Sequence, residues 1–225
     1  MLQLTAPILA VAAKDLRSDI RTRYGMSALL LFVVTSVTLV VFAAADEVMP
    51  RPLAAAVLWI VMFTTAMTGL GRGFISEEER GTALLLRMSA TPTSIYVGKL
   101  LGNVVQAVAS NLVAALLFTL FLSTTVDIGN PALLVLVVST GSLGMAAALT
   151  VISAIVAKAG SRNALLPVLS FPILVPLLLP GVNAMIFALA GLSVGEAMPD
   201  LLLMACYTGV LIVVSYLVFE VLWCD

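Results

Sequence analysis

The chain has 225 residues, of which 62% are hydrophobic and only 10% charged, and its formal net charge is −1. A soluble domain carries roughly 25% charged residues, so this composition excludes a soluble globular protein and indicates an integral membrane protein. Histidine is absent, which excludes imidazole ligation of a metal or haem iron by this chain.

Residues 2–23 do not read as a membrane span. Leu2, Leu9, Ala13, Leu16 and Ile20 fall on one helical stripe, with Lys14, Arg17 and Arg21 on one flank and Asp15 and Asp19 on the other. The pattern predicts an interfacial amphipathic helix over 1–24, its basic flank on anionic lipid headgroups. A helix packed on the protein's own spans fits the stripe equally well. Ala43–Ala45 imitates a signal-peptide cleavage site, but the apolar run before it is too long and more spans follow.

Six apolar runs come next, at 26–45, 53–70, 100–122, 132–157, 164–180 and 201–222. Most are close to the ~20 residues that a bilayer core requires. Ten of the eleven Lys and Arg residues fall on the side of the N-terminus, and only Arg51 lies opposite. The positive-inside rule therefore predicts an even number of crossings with both termini in the cytoplasm. No Asp, Glu, Lys or Arg lies well inside any of the six runs. Ion-coupled carriers generally need such groups, so any energy used is expected to come from outside the bilayer.

The longest polar interruption is 72–99, with Arg72, Glu77, Glu78, Glu79, Arg80, Arg87 and Lys99. Ser76 followed by Glu79 reads as a capping box that opens a helix over 76–88, with Glu77 and Arg80 as an i,i+3 pair. Phe74, Gly81, Leu85 and Met88 recur at helical spacing. Thr91–Pro92 supplies a second cap leading into the third span. A structured polar segment on an otherwise minimal water-facing surface is expected to meet a partner, with Ser76, Glu77, Glu78, Glu79, Arg80, Gly81 and Thr82 as contact residues. Charge complementarity would set the docking. A merely solvated face is the bland alternative.

Within the third run, Asn103, Gln106, Ser110 and Asn111 share a face. Amides in hydrocarbon need partners, so this face is expected to point into the bundle, by interhelical hydrogen bonds rather than by lining a substrate route. Gly141 and Gly144 would permit close helix packing. Pro167, Pro172, Pro176 and Pro180 predict a fifth span that is kinked and continues into a short re-entrant piece around 183–194. Cys206 and Cys224 would lie about 27 Å apart on one straight helix, too far to bridge. Catalytic motifs are missing: Gly98–Lys99 lacks the upstream glycine of a phosphate loop, and Leu100 replaces its Ser or Thr. The glutamate triplet splays around a helix and is not a metal site.

These parts together resemble the membrane subunits of ABC-2-type transporters, and within them the haem exporter protein B family. The residues that carry the resemblance are Lys14–Asp15–Leu16 with Arg17 and Arg21, EEERGTALLLRMSATPTSIYVGK at 77–99, and LLPVLSFPILVP at 165–176. The resemblance implies an all-α integral membrane permease domain over 1–225 with six transmembrane helices. It also implies a cytoplasmic coupling helix between spans 2 and 3 and a broken segment between spans 5 and 6. It further implies a place in the bacterial inner membrane, a cytoplasmic ABC ATPase subunit, a haem-handling membrane subunit and a periplasmic haem chaperone. ATP and haem would then be bound in partner subunits, with no cofactor on this chain, no nucleic acid and membrane lipid around it. ATP hydrolysis in the partner would serve release of the haem-loaded chaperone. Arg87–Met88–Ser89–Ala90 departs from the more uniformly apolar stretch expected before the proline. Two other readings fit the residues: export of a lipid, drug or glycan through the protein's own core, and a membrane scaffold that transports nothing.

Overall fold

The computed structural model describes residues 2–21, 23–44, 48–70, 73–79, 81–82, 85–86, 88, 91–122, 128–158 and 162–224, although for some of them, among them Arg21, Ser76 and Cys224, only the backbone. Among these residues the only regular structure is helical. The elements are α1 (Leu2–Arg21), α2 (Arg23–Ala44), α3 (Arg51–Leu70), α4 (Gly73–Glu79), α5 (Pro92–Phe121), α6 (Pro131–Lys158), α7 (Arg162–Ala190) and α8 (Val194–Cys224). Helices α3, α5, α6, α7 and α8 are each long and apolar enough to cross a membrane, and α2 contains a shorter apolar stretch, Leu30–Ala43. Of the charges expected in the 72–99 interruption, Arg72, Arg80 and Arg87 lie outside the described residues.

Helix α6 is the axis. From Gly144 to Ala154 it is buried without interruption, as a helix that is apolar all round must be. It packs against α3, α5, α7 and α8. Glycines set how close those helices come. A Cβ on Gly141 would sit 2.6 Å from the Trp59 ring of α3, and one on Gly181 of α7 only 2.0 Å from it. The buried indole of Trp59 is therefore wedged between two glycines on two helices. Gly144 meets Leu177 in the same way, at 2.7 Å. The close packing expected at Gly141 and Gly144 is thus present, and Gly181 extends it to a third helix.

The expected break in the fifth span is absent. Helix α7 runs unbroken from Arg162 to Ala190 with Pro167, Pro172, Pro176 and Pro180 inside it. The stretch expected to be re-entrant is the last two turns of that helix, the turn after it and the start of α8. Each proline removes one backbone hydrogen bond. Pro172, Pro176 and Pro180 recur every four residues, so the missing bonds line one face and leave the rest of the ladder to hold the helix. Beside them, Tyr207 of α8 donates from Oη to the Ile173 carbonyl at 2.5 Å. The amide that donates to this carbonyl within the helix is that of Leu177, not of a proline, so the bond fastens α8 to α7 without replacing one that the prolines remove.

At the end of the bundle where α5 finishes, the α5–α6 connection is stitched to the α7–α8 turn. Asn130 donates from its backbone N–H to Ala188 O at 2.9 Å. Its side chain donates from Nδ2 to Leu192 O at 2.9 Å and accepts from Leu133 N–H at 3.0 Å, capping α6. Gly191, at φ 79°, turns the chain out of α7. A Cβ on Gly129 would lie 2.3 Å from the Gly191 backbone, so this crossing requires glycine. The opposite end gathers α1, α4, the start of α5 and the end of α8.

Candidate functional site

The polar segment folds differently from its local signals. Helix α4 is described over Gly73–Glu79, so Ser76 lies within it, and the capping-box start and the continuous helix over 76–88 are not formed. Phe74 and Ile75 are both buried, and Phe74 packs its ring 5.3 Å from that of Phe219 on α8, which favours helix on the N-terminal side of Ser76. Gly81 ends the helix. It adopts φ 69°, its N–H donates to Glu78 O at 3.1 Å, and the Thr82 N–H donates to Glu77 O at 2.9 Å. This is the Schellman arrangement, in which a left-handed residue just past the helix satisfies its last carbonyls. A Cβ on Gly81 would meet nothing within 4 Å. Glycine is therefore required here for its backbone angle, not for a close approach.

Helix α5 starts at the expected cap. Thr91 accepts from the Ser94 N–H, with Pro92 at the first turn. The helix begins eight residues before the predicted span, which carries Lys99 into its wall. Helix α1 lies along this part of α5. A Cβ on Gly98 would come within 2.8 Å of the Ile8 carbonyl and the Val11 side chain, and Gly102 faces Ala12 and Asp15. The Gly98-to-Gly102 spacing is a close-approach seam. Helix α1 is therefore packed on the protein's own span along this face, while Leu9, Ala13 and Arg17 on its outer side are exposed. The side chain of Arg21 lies outside the description.

Four charges meet where α1, α4 and α5 converge. Lys99 is 2% exposed; its Nζ lies 2.9 Å from Asp15 Oδ2 and 3.5 Å from Glu77 Oε1. It also donates to the Gly73 carbonyl at 3.2 Å and sits 5.0 Å above the Phe74 ring. Lys14 Nζ reaches the same Glu77 oxygen at 2.5 Å and Asp15 Oδ1 at 3.5 Å. Thr82 donates from Oγ1 to Glu77 Oε2 at 2.5 Å. Burial opposes the charge on Glu77, but the hydrogen bonds from Lys14 and Thr82 and the fields of both lysines outweigh it and hold its pKa at about 2. Burial likewise opposes the charge on Lys14, and the bonds to Glu77 and Asp15 prevail, raising its pKa. An aromatic floor closes the cluster: Tyr96 packs 5.3 Å from Phe219 and 6.3 Å from Tyr216. Thr93 Oγ1 lies 3.3 Å from Tyr216 Oη.

The structure thus divides the glutamate triplet. Glu77 turns inward to the lysines, whereas Glu78 and Glu79 are exposed. Beyond the cap, Leu85 and Met88 are 72% and 83% exposed. Deeper in the bundle, Asn103 donates to Thr150 Oγ1 at 2.7 Å, and Asn111 donates to Ser142 Oγ at 3.0 Å. Ser110 bonds its own helix at Ala107 O, and Gln106 is half-buried. The polar face of α5 is mostly spent on α6 and on itself. Among the described residues, no three or more acidic or cysteine side chains converge as metal ligands would. The Lys99–Asp15 pair escapes sequence reading because 84 residues separate the partners; the only local hint is a lysine set inside a glycine-spaced seam. A family model described as CcmB protein matches residues 6–222. A comparison with curated proteins finds no match.

Proposed function

The chain belongs to the CcmB, or haem exporter protein B, family, and from that premise we propose that its exposed residues Glu78, Glu79, Leu85 and Met88 mark where a partner ATPase drives it. Membership makes it a multi-pass membrane subunit of the haem export and cytochrome c maturation system, working within a multi-subunit complex and not itself catalytic. In the proposed reading both termini and α4 face the cytoplasm across the bacterial inner membrane. ATP is bound and hydrolysed in a separate ABC ATPase, and haem is held by a second membrane subunit and a periplasmic chaperone, whose loaded form is released at the expense of the nucleotide.

The observation that supports this reading is the division of charge around α4. Glu78, Glu79, Leu85 and Met88 are all exposed, while Glu77 is occupied inside. A basic-rimmed apolar groove on the partner would match that surface by charge complementarity, with the apolar pair as anchors. Glu77 is left out of the docking set because both its oxygens are already bonded. The second reading, export of a lipid, drug or glycan through the core, needs the α5 amides to line a route; their bonds to Thr150 and Ser142 count against it.

The test is charge reversal of Glu78 and Glu79 together to lysine. Membrane insertion should be normal and co-purification of the ATPase in mild detergent should be lost. Undiminished co-purification with an unchanged ATPase rate would refute the docking surface.

A further inference from the structure

We propose that Lys99 is a positioning residue that makes α1 move with α4, so that displacement of the polar segment is carried into the N-terminal helix. The inference deepens the docking reading, on which its use in coupling rests, but the connection itself needs no partner.

The packing around the cluster falls into two units. Helix α1 lies on α5 along the Gly98 and Gly102 seam, whereas α4 lies on α6 and reaches α8 through Phe74 and Phe219. The backbones of α1 and α4 barely touch. Val11 of α1 and Phe74 of α4 share one buried apolar cluster with Tyr96 and Leu100 of α5, and side-chain charge supplies the direct bonds between the two elements. Lys99 contacts Asp15 of α1 with Glu77 and the Gly73 carbonyl of α4, and Lys14 of α1 shares the same Glu77 oxygen.

A lysine 2% exposed in a membrane helix is stable only while carboxylates face it. If α4 withdraws, Glu77 and the Gly73 carbonyl leave together, and Lys99 and Lys14 are left with Asp15 alone. If α1 withdraws, Asp15 and Lys14 leave together. Either separation strands charge in a poorly solvated place, so the two elements are driven to shift as one.

The experiment uses the full-length chain in membranes, with Cys206 and Cys224 replaced by serine and a probe cysteine at Ala12, a buried position on the α1 face that meets Gly102. The readout is the rate of modification by a charged maleimide. Lys99→Met should raise that rate about tenfold by freeing α1, and Lys99→Arg should restore protection. Ile75→Ala, which loosens α4 from its own packing, should also raise the rate at Ala12→Cys when Lys99 is present. The same substitution should add little in the Lys99→Met background, the non-additivity expected of coupled residues. An unchanged rate in Lys99→Met, or an equal effect of Ile75→Ala in both backgrounds, would overturn the proposal. Neither arm involves the ATPase, so failure here and failure of co-purification at Glu78 and Glu79 are separate results.

Discussion

Glu77 holds its charge against burial only because two ammonium groups and a hydroxyl face it, and that arrangement has a defined pH window. Its pKa in the folded protein, about 2, lies below the ordinary 4.5. Its contribution to stability is therefore fully present above pH 4.5 and lost as the pH falls from there towards 2. Lys14 is shifted the other way, upward from 10.5, so its contribution is intact below pH 10.5 and lost as the pH rises through the raised value. The thermal midpoint in detergent should thus be flat across the neutral range and fall on acidification below about pH 4.5, and Glu77→Gln should make that fall shallower. An equally steep fall in the variant would show that other carboxylates carry it. Little of this was legible beforehand. Glu77, Glu78 and Glu79 are identical as letters, and only the helical rotation between them, about 100° per residue, combined with lysines from two distant segments, decides which one turns inward.

Individual elements were legible in proportion to how local their causes are. Thr91–Pro92 starts α5 as expected because a cap is decided within four residues. The capping-box start at Ser76 did not form because the burial of Phe74 against Phe219 outweighs the Ser76 and Glu79 pattern, and Phe219 is 145 positions away. Gly81 was read as one position of a helical face and a contact residue, yet it sits at the left-handed turn that ends the helix. Gly81→Ala should accordingly cost about 1 kcal/mol, seen as a lower thermal midpoint of the purified chain. Gly81→Asn, which tolerates the same backbone region, should lose less; equal losses would point to a different role. In α7 the four prolines were correctly marked but their effect was overstated. Counting missing hydrogen bonds ignores those that remain in the helical ladder.

At the scale of the molecule, composition and the spacing of apolar runs were enough for a helical membrane body. The way the helices nest was hidden, because it depends on which glycine meets which large side chain. Trp59 between Gly141 and Gly181 is the clearest case. Gly181→Ala would drive a methyl group into the indole and should destabilise the bundle by about 1–3 kcal/mol. Pairing it with Trp59→Leu should recover part of the loss in a thermal denaturation series. A Gly181→Ala protein as stable as the parent would mean that the ring is not wedged there.

The Asn130 stitching at one end gives the body an asymmetric mechanics. With the α5–α6 and α7–α8 connections fastened together there, relative tilting of the long helices pivots about that end and its amplitude grows with distance from it. Over the 28 residues of α6, a length of about 42 Å, a tilt of about 5° moves the far tip by roughly 4 Å. That is comparable to the reach of one salt bridge. A rotation too small to disturb the apolar interior is therefore amplified into a full side-chain displacement where Asp15, Glu77 and Lys99 meet.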